Sequence, residues 1–200
     1  MDALLAAPDR HTLLGQRDFA LLLFLYNSGA RASEVATLRI GNIDWYTQSA
    51  RIIGKGNKLR ICPLWPVTME QLRSLSGQRG SEQYVFLNRN GQPITRFGIH
   101  TLVERHVLTA AAQAPSLGTK RVSPHVIRHT TATHLLRAGV DINTIRAWLG
   151  HVSLNTTNIY AETDLETKAR ALETCEPGTL GAKVKPWRNR PDLMDFLRRL

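Results

Sequence analysis

The chain has 200 residues, 42% of them hydrophobic and 21% charged, which suits a globular protein with one substantial core and excludes a low-complexity or fibrous one. No apolar run approaches the ~18 residues of a bilayer span, and the opening MDALLAAPDRHTLL lacks the basic start and sustained apolar stretch of a secretory signal, so a cytoplasmic protein without a membrane anchor is expected. Lys+Arg number 26 against 16 Asp+Glu, a net charge of +10, and a cationic surface of that size suits a polyanionic partner, nucleic acid before any other.

In chain order, the dense apolar run QRDFALLLFLYNS, Gln16 to Ser28, predicts a buried helix that stops at Gly29. Ser33 is placed to cap a short helix over Glu34 to Leu38, with Arg31 in the junction before it. From Ile43 to Leu64 the pattern shortens to IDW, RIIG and KLRICPL, with KGNK as a tight turn. This predicts a small antiparallel sheet with a basic hairpin tip. A helix over Val67 to Leu75, a strand YVFL at Tyr84 to Leu87 and a helix over Arg96 to Ala112 follow. The breaker-rich QAPSLGTKRVSP then reads as a loop. Ser123 with Pro124 opens the next helix, which Gly139 closes; Asp141 caps another, closed by Gly150; Ser153 opens a third. EPGTLGAKVKPWRNRP reads as loop, and DLMDFLRRL as a last amphipathic turn or two. The fold class expected is α+β, mostly helical with one small antiparallel sheet.

Cys62 and Cys175 lie far apart with no partner at metal spacing, so neither a disulfide framework nor a thiolate site is expected. His125 and Arg128 stand three apart near a helix start, on one face and close to the free N–H groups and positive dipole end, a disposition suited to an anion. His129 is one turn from His125, which raises a zinc pair, but no third ligand has matching spacing and packing or hydrogen bonding in the core is preferred for it. Arg31 follows a glycine before a helix, Lys55 sits at a hairpin tip, His151 follows Gly150, and Tyr160 lies further along the same segment. Each is a position where a side chain is readily presented. Each also has a plainer reading: Tyr160 as a packing aromatic, Lys55 as a solvated edge lysine, His151 as a helix-end histidine favoured by the dipole.

Taken together, SGARASEVATLRIGNIDW, IIGKGNKLRICPL, SPHVIRHTTATHLL and AWLGHVSLNTTNIY resemble, in order and separation, the four signature segments of the tyrosine recombinases of the integrase and Xer-like branch. The resemblance implies a catalytic domain over residues 1–175 with a tail over 176–200. It implies that Tyr160 attacks a scissile phosphodiester of double-stranded DNA to form a 3′-phosphotyrosyl link and release a 5′-hydroxyl. Arg31 and Arg128 would hold the non-bridging oxygens, Lys55 would protonate the leaving oxygen, His125 would assist proton transfer and His151 would hydrogen-bond the phosphate. Glu34 would support a nearby arginine or the helix start. Lys58, Arg60, Lys120 and Arg121 are expected on the DNA backbone, where cations add affinity without sequence information. No metal or cofactor is implied.

Elementary chemistry agrees with these roles. A phenol of pKa ~10 needs a proton acceptor or cationic neighbours to act as a nucleophile at neutral pH. Charge that develops on the equatorial phosphate oxygens is met well by forked guanidinium groups. Members of the family usually carry a helical domain ahead of the catalytic one. The resemblance begins near residue 13, so a catalytic domain without that partner is expected, with weaker DNA binding. In the family the segment after the nucleophile often docks on a neighbouring protomer, so a homo-oligomer, a tetramer on a DNA synapse, is expected. DLETKARALETC and DLMDFLRRL both carry an apolar face that would serve, and the latter would equally fold back on its own domain. A type IB topoisomerase with the same tyrosine chemistry, and a catalytically silent DNA-binding module, stand as alternatives.

Overall fold

The structure is a computed structural model that describes residues 1–54 and 56–150. Its helices are α1 (Asp2–Ala6), α2 (Leu13–Ser28), α3 (Ala32–Ala36), α4 (Pro66–Ser76), α5 (Arg96–Ala111), α6 (Pro124–Arg137) and α7 (Ile142–Leu149). The strands β1 (Ile43–Asp44), β2 (Ser49–Ile53) and β3 (Leu59–Pro63) form one antiparallel sheet in the order β1-β2-β3. The α+β class expected from the sequence is the class observed.

Helix α2 is the axis of the fold. Thr12 caps its start by accepting the Gly15 N–H at 3.0 Å, and Gly29 ends it in the left-handed conformation, φ 58°. Every residue from Phe19 to Leu25 is buried, the mark of a helix enclosed on all sides. It packs against α1, α4 and α6, and Phe24 meets Phe86 with ring centroids 6.1 Å apart. Burial of each such side chain contributes about 1.5–3 kcal/mol. A smaller cluster, Ala132, Leu136, Ile145 and Leu149, joins α6 to α7.

One polar group lies within this apolar frame. Asp18 of α2 has a 2% exposed side chain and accepts from Arg17 (2.6 Å), from Arg105 of α5 (2.5 Å) and, at 2.8 Å, meets His106 Nε2 of α5. Burial alone would push its carboxyl up, but the His106 hydrogen bond and the Arg17 charge outweigh burial and hold it below the ordinary range. The cluster fixes the rotation of α5 against α2, and α5 carries residues of the cleft described below.

Three local features differ from the sequence reading. The short helix begins at Ala32, and its cap position is Arg31, whose N–H is taken by the Glu34 carboxylate at 2.9 Å; Ser33 lies inside the first turn. Tyr84 to Leu87 is not a strand but makes only isolated bridges, Arg39 to Tyr84 and Leu87 to Pro93. Two of its carbonyls go to a side chain instead: the Arg79 guanidinium donates to Tyr84 O at 2.7 Å and Val85 O at 3.0 Å, which satisfies them without a ladder. Helix α1, with Leu4 buried, had no counterpart in the reading.

In the hairpin, Ala50, Ile52 and Cys62 point inward while Ile53, Leu59 and Ile61 stand outward and exposed. The two residues of the turn after position 55 have positive φ, Gly56 at 74° and Asn57 at 57°, as KGNK suggested.

Two predictions follow from the packing. Asp18→Asn leaves buried Arg17 without its counter-charge and is expected to lower unfolding stability by about 3–5 kcal/mol at pH 7, measured by urea denaturation. Because the folded-state carboxyl of Asp18 titrates below its ordinary value, its contribution is present above that value and fades as pH falls through the folded one. The gap between wild type and variant should therefore narrow below about pH 4. Gly29→Ala would place a Cβ 2.4 Å from Leu149 Cδ2 at a left-handed backbone position. A loss of at least about 1–3 kcal/mol in thermal or urea unfolding is expected.

Candidate active site

The start of α6 is built as its sequence suggested. The Ser123 hydroxyl accepts the Val126 N–H at 3.5 Å, Pro124 occupies the first turn, and His125 is exposed on the second helical position. One turn on, Arg128 is driven inward, 3% exposed, and donates to Gly29 O and to Leu149 O, each at 2.6 Å. These are carbonyls at the C-terminal ends of α2 and α7, which have no partner in their own helices and lie at the negative pole of each dipole. Both carbonyls solvate the guanidinium.

Arg31 stands two residues beyond Gly29, its side chain 40% exposed, and donates to Glu34 Oε1 at 2.8 Å. Glu34 is buried, and its Oε2 accepts the Arg31 N–H at 2.9 Å and Arg60 Nη2 at 2.7 Å. Burial acts to raise the Glu34 carboxyl, but the Arg60 hydrogen bond and charge, with the backbone and side chain of Arg31, outweigh it and keep Glu34 ionised below the ordinary range.

Arg31 and Arg128 open into one cleft of about 220 Å³, lined also by Ala32, Ser33, Pro124 and His125, and by Arg96 and His100 of α5. The N-terminal ends of α3, α5 and α6 converge on it, and among the described residues no acidic side chain lines it. Three arginines, two histidines and two long helices presenting their positive ends give it the chemistry suited to an anion.

His125 and His129 lie Nε2 to Nε2 at 2.7 Å with rings at 89°. One ring therefore donates to the other. Burial, then the charges of His125 and Arg128, hold His129 below its ordinary value, so it is neutral at pH 7. It is half-buried and hydrogen-bonded to its neighbour, where the sequence placed it in the core. A tetrahedral zinc would hold two ligands each at ~2.0–2.1 Å, which sets their nitrogens further apart than this pair. Among the described residues no three His, Cys, Asp or Glu side chains are placed for a metal.

Of the six residues the resemblance singled out as catalytic, the structure thus brings Arg31, His125 and Arg128 together. Lys55, His151 and Tyr160 lie outside the described residues, as does the expected boundary at residue 175. Lys58, Lys120 and Arg121 are exposed and none of them lines the cleft.

Arg60 stands apart from these three. Expected on the DNA backbone, it has an 8% exposed side chain bound to Glu34. The pleat explains this: Arg60 shares parity with Cys62, which is 0% exposed, so it points inward while Leu59 and Ile61 face out. That parity was legible in KLRICPL. Arg96 and His100 were missed. They stand one turn apart at the start of α5, immediately after a Thr95 cap whose hydroxyl accepts the Gly98 N–H at 3.0 Å. The Arg96 guanidinium lies 4.6 Å from the ring of exposed Phe97. Their position on a capped helix start was readable, but nothing local tied that helix to α6.

Residues 1–166 match the model of the phage integrase family. The chain is 40% identical to the putative integrase/recombinase y4rC of Sinorhizobium fredii, over 100% of this chain and 60% of that protein. It is 36% identical to the tyrosine recombinase XerC of Chlamydia muridarum, over 89% of this chain and 56% of that one. Among solved structures, XerA recombinase superposes with a TM-score of 0.71 at 27% identity, covering 88% of this chain and 61% of that one. XerH site-specific recombinase bound to its difH substrate, a pre-cleavage complex, superposes with a TM-score of 0.68 at 26% identity, covering 88% and 52%. The chain therefore spans between about half and three fifths of the length of these relatives. With a family match that covers most of its length, and a cationic cleft built from the segments that resemble the family's signatures, the chain belongs to the phage integrase family.

Proposed function

We propose that the chain is the catalytic part of a site-specific DNA recombinase that breaks and rejoins strands through a 3′-phosphotyrosyl intermediate. The observation that carries this reading is the single cleft, without acidic lining among the described residues, that collects Arg31, His125 and Arg128 from distant parts of the sequence. A phosphodiester set there meets guanidinium N–H groups before any reaction occurs, so charge arising on its oxygens is stabilised with little reorganisation. In this reading the Tyr160 oxygen bonds to phosphorus as the bond to the 5′ oxygen breaks. The phenol proton passes to His125, and Lys55 gives a proton to the departing 5′ oxygen, releasing a 5′-hydroxyl. Rejoining is the reverse, with a 5′-hydroxyl attacking the phosphotyrosine. His151 donates a hydrogen bond to the same phosphate.

Double-stranded DNA is the partner in this proposal. The net charge of +10 supports it, and so does the substrate held in the XerH complex. Lys58, Lys120 and Arg121 serve as exposed backbone contacts, and Arg96 and His100 extend the cleft's cationic wall along α5. The catalytic unit runs to residue 175, and the tail over 176–200 docks on a neighbouring protomer of a tetramer assembled on two duplexes.

Two outcomes test the reading. The purified chain, incubated in EDTA with nicked duplex carrying a 5′-bridging phosphorothiolate, is expected to give a covalent protein–DNA band in denaturing gels, and Tyr160→Phe none; a band of equal strength in both would exclude Tyr160 as nucleophile, and supercoil relaxation without strand exchange would favour the topoisomerase alternative. Arg96→Ala is expected to weaken binding to a labelled duplex in anisotropy titrations and to reduce the slope of log affinity against log salt by about 1. An unchanged slope would remove Arg96 from the DNA surface.

A further inference from the structure

Arg60, on β3, lies behind the cleft and reaches Arg31 through Glu34. Its Nη2 donates to Glu34 Oε2 at 2.7 Å, and the other oxygen of the same carboxylate accepts Arg31 Nη1 at 2.8 Å. Glu34 thus stands between two guanidinium groups, one 8% exposed and one 40% exposed. Only the second faces the cleft.

The inner end of this chain is held from two further sides. A Cβ on Gly54 would stand 3.1 Å from Glu34 Oε1 and 3.5 Å from Arg60 Nη1, and one on Gly150 would stand 3.2 Å from both Arg60 Cδ and Nη1. The guanidinium is therefore packed against backbone that carries no side chain, at the end of β2 and at the end of α7. There is little room for it to swing away from Glu34. Arg31, by contrast, is a long side chain at a cleft mouth with many rotamers available to it. A carboxylate fixed by Arg60 removes most of that freedom.

Resting on the strand-cleavage reading above, we infer that Arg60 is a positioning residue: through Glu34 it holds the Arg31 guanidinium in the orientation that receives the phosphate. Arg60 does not touch DNA, and its charge has a second use. Without it, Glu34 would face Arg31 alone and draw it back into a closed ion pair, reducing the charge that Arg31 presents to the cleft. Two guanidinium groups on one carboxylate leave the outer one partly unneutralised.

The test is the rate of covalent adduct formation on nicked duplex, measured for wild type, Arg60→Met, Arg60→Lys, Arg31→Ala and the double variant Arg60→Met with Arg31→Ala. Arg60→Met, which keeps the length of the side chain, is expected to slow cleavage by ~10- to 100-fold, with duplex affinity changed by less than about twofold. Arg60→Lys, which keeps the charge, should recover part of the loss. The double variant should be no slower than Arg31→Ala alone, because a residue that acts through Arg31 has nothing left to position. The acid limb of the pH–rate profile should also move upward in Arg60→Met, since Glu34 keeps its burial and loses a partner. A purely structural role would leave that limb in place and make the two losses multiply, and either result overturns the inference. Should Arg60→Met fail to fold by circular dichroism, Glu34→Gln carries the same cycle with Arg31→Ala. A wild-type chain that binds DNA but forms no adduct overturns the strand-cleavage reading, and this inference with it. A wild-type adduct matched in rate by Arg60→Met overturns this inference alone.

Discussion

A buried guanidinium bound to two helix ends organises this molecule. Arg128 draws the carbonyl of Gly29 and the carbonyl of Leu149 to the same group, and so sets the ends of α2 and α7 beside the start of α6. Carbonyl dipoles at helix C-termini solvate a cation but carry only partial charge. The same geometry requires glycine at position 29, where the backbone is left-handed and Leu149 closes in. It also delivers Arg31 to the cleft, because only one residue separates the two. The placing of both arginines at the cleft follows from how α2 and α7 end and how α6 begins.

The acids of the frame are arranged in keeping with that. Asp18 is spent on the contact between α2 and α5, and Glu34 is shared between Arg31 and Arg60. Both carboxyls stay ionised despite burial because guanidinium groups surround them. Among the described residues, the cleft itself is left to basic side chains and helix N-termini. Cys62 is no competitor for chemistry: wholly buried, its thiol is pushed up to about 12 by desolvation, so it is not a thiolate at neutral pH.

Much of this was legible in the sequence, for reasons that can be named. Helices α2, α6 and α7 carry their own punctuation in Gly29, in Ser123 with Pro124, and in Asp141 with Gly150, and local signals of that kind do not depend on tertiary context. The hairpin was readable from KGNK and its flanks. What failed was long-range or side-chain-mediated. The Tyr84 to Leu87 segment has strand composition, yet Arg79 takes two of its carbonyls. Ser33 is a better cap by type than Arg31, yet Glu34 reaches back to the Arg31 N–H. Arg60 was expected at the surface because a basic residue in a hairpin suggests solvent, although its parity with Cys62 placed it inside. Arg96 and His100 join the site only through the packing of α5, which the Asp18 cluster fixes and no motif announces.

The cleft should hold a tetrahedral dianion before any DNA is present, and anomalous diffraction from crystals soaked in tungstate would show where such an ion sits. Density between the side chains of Arg31, His125 and Arg128 is the expected result, with those groups little moved from the arrangement described. Tungstate bound elsewhere on the surface, with that cleft left empty, would contradict the assignment of the cleft as the phosphate site.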